Sequence, residues 1–117
     1  MELIQFFVQL QQQFRILHWE TKSYARHKAY GDIYGSLDDL VDTFMETYMG
    51  KYGRNIGNNS ASMINYDASN AVETVKAFEA FLISLTSQLQ ETDTDLLNIR
   101  DEMLALVHKT QYLLTLS

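Results

Sequence analysis

Four side chains in the first half of the sequence have the chemistry of metal ligands: His18, His27, Asp42 and Glu46. Imidazole and carboxylate together suit iron, and also zinc or manganese. Asp42 and Glu46 are four residues apart, so on a helix both carboxylates project from one face. His27 precedes Asp42 by fifteen residues, which is about 22 Å along a helix axis. The spacing therefore predicts that a site using all four residues takes half of its ligands from a second chain.

The predicted second helix, from about His27 to Met49, separates its acids from its apolar residues. Its apolar stripe has the i, i+3/i+4 spacing of a core-facing helix and consists of Ile33, Leu37, Leu40, Val41, Phe44 and Tyr48. At 100° per residue, the opposite side carries Asp32, Asp39, Asp42 and Glu46. Two interpretations stay open: a solvated acidic face, or a metal-binding face turned towards a partner.

The segment around these residues resembles the iron-site segment of the Dps-type miniferritins. His18-Trp19 is similar to the histidine and tryptophan that close the first helix in that family, and His27 to the histidine that opens the next. Asp42-x-x-x-Glu46 resembles the acids that the twofold-related subunit supplies. The resemblance implies iron ligands His18 and His27 from one chain and Asp42 and Glu46 from the other. The gap between the two histidines is shorter than usual, which either trims the interhelix loop or moves His18 out of ligand range.

The length of 117 residues predicts a single domain over residues 1–117. The same resemblance implies an all-α, ferritin-like four-helix bundle. It implies a ferroxidase that binds Fe(II) between subunits and oxidises it with dioxygen or peroxide. The expected partner is a second copy of the chain in a twofold dimer, with a larger cage as a further hypothesis. The competing hypothesis is a metal-free or structurally metallated helical bundle that acts as an assembly or interaction module.

The rest of the chain reads as three more helices and one long connection. The first helix spans Leu3 to about Trp19, with an apolar stripe of Leu3, Phe6, Phe7, Leu10, Phe14 and Leu17. Residues 21–26 are the predicted turn, in which Tyr24 is expected to point inward. The Gly-, Asn- and Ser-rich residues 50–70 fit the long crossover between the second and third helices of such a bundle. Residues 90–94 form a short turn before the fourth helix.

Two glycines in the second helix, Gly31 and Gly35, are costly there at about 1 kcal/mol each against alanine. One interpretation is that another backbone approaches closely at this point, with a symmetry mate as the candidate. The other is that the helix simply tolerates them.

Composition excludes several classes of function. With no cysteine, the chain has no disulfides or thiolate metal sites, which fits a cytoplasmic protein. No apolar run approaches the roughly 20 residues that cross a bilayer, and the N-terminal residues lack the basic region of a secretory signal. The net charge of −6 and the absence of a basic N-terminal arm argue against binding nucleic acid.

Other catalytic arrangements are not indicated by the sequence. A metal site inside one bundle would need Glu-x-x-His pairs, and no Glu is followed by His at that spacing. His108 is a lone histidine on the predicted last helix, and we expect it to be a hydrogen-bonded structural residue. No phosphate-binding glycine loop or nucleotide fingerprint is present.

Overall fold

The computed structural model describes residues 2–57, 59–60, 62–65 and 68–116, with the side chains of 68 and 69 excepted. It contains four helices, α1 Leu3–Glu20, α2 Tyr24–Tyr52, α3 Ala68–Gln88 and α4 Thr94–Leu114. No strand occurs within these described ranges. The prediction of an all-α chain with four helices is therefore confirmed at that level.

The second helix is longer at both ends than the sequence pattern predicts. It begins at Tyr24 because Ser23 is its N-cap, with the hydroxyl oxygen accepting from the backbone N–H of Arg26 at 3.2 Å. It continues to Tyr52 and ends where Gly53 takes a φ of +87°, a conformation that glycine adopts without a Cβ penalty. The expectation that Tyr24 points inward is wrong, since 76% of this residue is exposed.

The contacts between helices define their order and direction. α2 packs against both α1 and α4, and α4 packs against α3. The C-terminal end of α2 meets the N-terminal end of α4, where Lys51 contacts Asp95, so these two helices are antiparallel. Short connections also make α1 antiparallel to α2 and α3 antiparallel to α4. α2 and α3 therefore run in the same direction, which is why the connection between them has to travel the length of the bundle.

The core lies where the apolar stripes predict it. Of the six predicted core residues in α1, five are buried, and Phe6 is partly buried against the core. In α2, Leu40 and Tyr48 are partly buried while the other four stripe residues are buried. Aromatic rings join α1 to α3, since Phe6 stacks on Phe81 at a centroid distance of 3.6 Å. α1 thus contacts α3 on one side and α2 on the other.

A row of glutamines on α1 forms hydrogen bonds with three described residues of the crossover. Gln13 is 1% exposed and pairs twice with Ile64, donating to its carbonyl oxygen and accepting from its N–H, both at 2.8 Å. One turn earlier, Gln9 donates to the carbonyl oxygen of Ser62 at 3.1 Å. Two turns earlier, Gln5 accepts from the N–H of Ser60 at 3.3 Å. The bonded partners advance by two residues of the crossover for every four residues of α1, in the same direction. This glutamine row fixes the crossover parallel to α1.

Among the described residues, no helix has both the length and the apolar character needed to span a membrane.

Candidate metal centre

The structure brings His18 and His27 together at the joint between α1 and α2. His18 lies in the last turn of α1 and His27 in the first turn of α2, and only residues 21–23 separate the two helices. The imidazole rings stack with centroids 3.9 Å apart and an interplanar angle of 17°. The short gap between the histidines therefore trims the interhelix loop and leaves His18 beside His27.

The two histidines are held by a reciprocal pair of hydrogen bonds. The Nδ1 of His18 lies 2.6 Å from the carbonyl oxygen of His27, and the Nδ1 of His27 lies 2.7 Å from the carbonyl oxygen of His18. A carbonyl oxygen only accepts, so each Nδ1 carries the proton and donates. In the neutral ring the remaining nitrogen, Nε2, then has a free lone pair. This is the arrangement in which a backbone carbonyl orients a histidine for metal binding.

These hydrogen bonds also satisfy part of the end of α1. The last four carbonyl groups of a helix have no partner within it. Leu17 O accepts from the N–H of Thr21 at 3.1 Å, and His18 O accepts from the ring of His27. The His27 ring therefore caps the C-terminal end of α1, although His27 itself belongs to the first turn of α2.

The ring of His18 lies in a notch on α2 formed by His27, Gly31 and Tyr34. These positions follow i, i+4 and i+7 spacing and share one helix face. Tyr34 presents an edge contact to the His18 ring, with centroids 5.6 Å apart. At Gly31, an added Cβ would lie 2.8 Å from His18 Cε1. The close neighbour of Gly31 is therefore a side chain of its own chain, whereas Gly35 has no atom within 4 Å of such a Cβ.

A cation and an aromatic ring extend this face towards solvent. The guanidinium of Arg15 lies 5.0 Å from the ring centre of Tyr34 and 5.8 Å from that of Trp19. Trp19 is 67% exposed, an unusual position for a large aromatic residue. Further along, Gln11 donates to Asp38 at 2.7 Å. The α1–α2 face thus presents aromatic, cationic and amide groups beside the histidines.

Asp42 and Glu46 lie further along α2 and are exposed, as the wheel analysis predicts. Within the described part of the chain, no three His, Cys, Asp or Glu side chains form a group able to hold a metal ion. One chain therefore brings together the two histidines and leaves the two acids apart from them. Any ligand set that uses all four residues takes the acids from another copy.

Sequence reasoning identified the histidines but missed Gly31, Tyr34 and Arg15 as their neighbours. A signal for the notch was present, because His27-x-x-x-Gly31-x-x-Tyr34 places an imidazole, a gap and a phenol on one face of a helix. The contribution of α1 was not visible, since it depends on the geometry of the joint.

The third histidine, His108, has a structural partner. It donates from Nε2 to Glu79 at 3.1 Å, and Gln111 donates to the same carboxylate at 2.7 Å. The hydrogen bond from Gln111 lowers the pKa of Glu79 most, and the hydrogen bond from His108 lowers it further. The expectation of a hydrogen-bonded histidine is confirmed, although 51% of its side chain is exposed.

A second cluster of ionisable groups joins the end of α2 to the start of α4. Asp93 is 2% exposed and lies 2.6 Å from the Nζ of Lys51. Its carboxylate also accepts from the hydroxyl of Tyr52 and from the backbone N–H of Gln90. The bonds from Lys51, Tyr52 and Gln90 hold the pKa of Asp93 down at about 2. Both oxygens of the Asp93 carboxylate have internal partners, so we interpret the cluster as a structural clamp.

Comparison with known proteins places the chain in a family without an assigned activity. A family model described as a family of unknown function, DUF5856, matches residues 18–114. Comparisons with curated proteins and with solved structures gave no significant match. The matched range covers most of the chain and includes His18, His27, Asp42 and Glu46. The protein therefore belongs to the DUF5856 family.

Proposed function

We propose that the protein is a ferritin-like, Dps-type protein that binds Fe(II) between two subunits and promotes its oxidation. The observation that carries this proposal is the reciprocal histidine pair. Both Nδ1 atoms donate to carbonyl oxygens, so both neutral rings offer Nε2 to a ligand. Two rings fixed in this way at the helix joint would supply the histidine half of a histidine–carboxylate iron site.

The other half is supplied by Asp42 and Glu46 of a second copy. His27 is about 22 Å along α2 from Asp42, so the histidines and the acids of one chain do not meet. Two antiparallel copies of α2 related by a twofold axis bring each His27 beside the other chain's acids. The dimer then has two equivalent sites, each built from both chains. Zinc or manganese suits the same ligands.

The reaction uses iron as a substrate. Two Fe(II) ions each lose one electron, and hydrogen peroxide accepts both electrons and two protons to give two molecules of water; dioxygen is the alternative oxidant. The carboxylates favour the Fe(III) product because their ligand atoms are negatively charged oxygens. The chain's net charge of −6 favours the approach of cations.

The order of the helices supports the ferritin-like part of this proposal. α2 and α3 run in the same direction and are joined by one long crossover, the connection found in ferritin-like bundles. Fold alone does not assign an activity, so the proposal of Fe(II) binding depends mainly on the histidine pair.

Anaerobic calorimetry with Fe(II) tests the proposal directly. The wild-type protein is expected to bind Fe(II), and to oxidise it faster than buffer when oxidant is added. Asp42→Ala and Glu46→Ala are expected to lose most of this binding while unfolding at the same temperature as the wild type, because both side chains lie outside the core. Asp39→Ala removes an exposed acid of the same helix and serves as the control. Wild-type protein that binds none of Fe(II), Zn(II) and Mn(II) would overturn the proposal.

A second candidate function is favoured by the same hydrogen bonds. The two imidazoles satisfy each other's carbonyl groups and stack, which fastens α1 to α2 without any metal. A metal-free or structurally metallated bundle acting as an assembly module would use them in this way. In that case His18→Ala and His27→Ala would lower the stability of the protein, and the wild type would not oxidise Fe(II) faster than buffer does, whether or not it binds a structural metal ion.

A further inference from the structure

The ring of His18 occupies the space that a side chain at position 31 would fill. A Cβ built on Gly31 would lie 2.8 Å from Cε1 and 2.9 Å from Nδ1 of His18. Carbon and nitrogen atoms do not approach so closely without a shift, because the optimal separation of such atoms is about 3.5–4.0 Å. Either the ring moves or the helix does.

The ring has little freedom to move while keeping its contacts. One face stacks on His27 at 3.9 Å, Tyr34 meets it with an edge contact, and its Nδ1 donates to His27 O at 2.6 Å. A displacement of several tenths of an ångström away from α2 lengthens this hydrogen bond. It also separates the stacked rings, so the effect reaches His27.

We propose that Gly31 is a positioning residue for the histidine pair, and that its missing side chain sets which nitrogen of the His18 ring is protonated. With alanine at position 31, the His18 ring leaves the notch and its Nδ1 loses the carbonyl acceptor. The neutral ring then takes either tautomer, and Nε2 is no longer held free. The consequence for metal binding rests on the proposed function, whereas the effect on the rings does not.

Gly50 provides a matched control on the same helix. A Cβ added there has no atom within 4 Å, and the residue is exposed. Both glycine-to-alanine changes gain helix propensity. Only the change at position 31 meets another side chain.

A double-mutant cycle measures this contact without any metal. In the wild-type background, Gly50→Ala is expected to raise the unfolding temperature and Gly31→Ala to lower it or leave it unchanged. In a His18→Ala background the ring is gone, so Gly31→Ala should now raise the unfolding temperature as Gly50→Ala does. An equal effect of Gly31→Ala in both backgrounds would contradict the proposal.

Nitrogen-15 NMR of the imidazoles tests directly whether Gly31 positions the His18 ring. In metal-free wild-type protein near pH 8, His18 and His27 should both give the signals of rings protonated at Nδ1. Gly31→Ala should move the His18 signals towards a mixture of tautomers, and Gly50→Ala should not. Unchanged tautomers in Gly31→Ala would overturn the proposal even if the variant were less stable.

Zinc affinity, measured with Zn(II) alone, connects this residue to the proposed site. Loss of the hydrogen bonds that orient a metal ligand typically weakens metal affinity about 10–100-fold, and this is the loss expected for Gly31→Ala. Gly50→Ala should bind as the wild type does. If wild-type protein binds no metal, the proposed function fails, while the cycle and the NMR signals still decide the role of Gly31. If the wild type binds metal and Gly31→Ala binds it equally well, the proposal for Gly31 fails alone.

Discussion

His18 and His27 each donate a ring N–H to the other's backbone carbonyl oxygen, at 2.6 and 2.7 Å. The pair joins the last turn of α1 to the first turn of α2 across a connection of only residues 21–23. Because the acceptors belong to the backbone, the orientation of both rings is set by the helix joint. In each neutral ring, Nε2 is then the nitrogen that carries the lone pair.

Gly35 is expected to lie at the crossing of two α2 helices. It lies midway in sequence between His27 and the Asp42–Glu46 pair, so a twofold axis that pairs these groups passes near it. Its own chain leaves the position open. Gly35→Leu should therefore leave the monomer folded but abolish the dimer and its metal binding, because the side chain separates the two backbones.

Sedimentation velocity at micromolar concentration checks this expectation. The wild type should sediment as a dimer or a larger symmetric assembly, and Gly35→Leu as a monomer. Gly50→Leu makes the same change near the end of α2 and should keep the dimer. A monomeric wild type, or a Gly35→Leu variant that dimerises as the wild type does, would argue against the twofold arrangement.

Asp93 should make the stability of the protein depend on pH in the acid range. Its pKa is about 2, below the ordinary value of 3.8, because Lys51 and Tyr52 donate to its carboxylate. A lowered pKa in the folded state stabilises the protein above the unfolded pKa, and this contribution is lost as pH falls through the folded pKa. The contribution of Asp93 is therefore complete above about pH 5 and is lost progressively as the pH falls to about 1.

Urea unfolding at several pH values tests the role of Asp93. Asp93→Asn should lower the free energy of unfolding at pH 7 and flatten its fall between pH 4 and pH 2. Asp95→Asn removes an exposed carboxylate that contacts the same Lys51 and should cost less. Equal losses in the two variants would show that burial of Asp93 adds nothing.

Gln13 should stabilise the bundle by holding the crossover. Gln13→Leu removes both hydrogen bonds to Ile64 and leaves a backbone N–H and a carbonyl without that partner. The expected cost is about 1–3 kcal/mol in the free energy of unfolding. Gln12→Leu, on the exposed side of α1, should stay within about 0.5 kcal/mol of the wild type.

Hydrogen exchange at the Ile64 amide locates this effect. Exchange should accelerate in Gln13→Leu well beyond the change at core amides of α1, because the crossover opens locally. An Ile64 amide that exchanges equally fast in both glutamine variants would count against the role of Gln13.

The sequence predicted the helices and the core because both follow from local pattern. The apolar spacing of α1 and α2 identified the buried face, and the acids of α2 are exposed as the wheel requires. The ends of α2 were harder to predict from the sequence. Ser23 is one of several polar residues that could begin the helix, and Gly53 is one of several glycines that could end it. The glutamines of α1 were visible only as helix-favouring residues, since their partners lie more than fifty positions away in the crossover.

The candidate site was predictable in its residues and not in its geometry. A histidine–tryptophan pair, a second histidine and two acids one turn apart were enough to single out four positions. The reciprocal hydrogen bonds depend on how tightly the chain turns between Glu20 and Tyr24, and the notch over Gly31 depends on how α1 packs on α2. Both are tertiary relationships, so the spacing of residues within one helix does not predict them.

Mixing two inactive variants tests the shared site most directly. A heterodimer of one His27→Ala chain and one Asp42→Ala chain has one site with both lesions and one site with none. If each site takes its histidines from one chain and its acids from the other, the purified heterodimer should bind about half as much Fe(II) as the wild type, while both parent homodimers bind little. If each site were built within one chain, every site in the heterodimer would carry a lesion. Fe(II) binding no greater than that of the parent homodimers would therefore contradict the account.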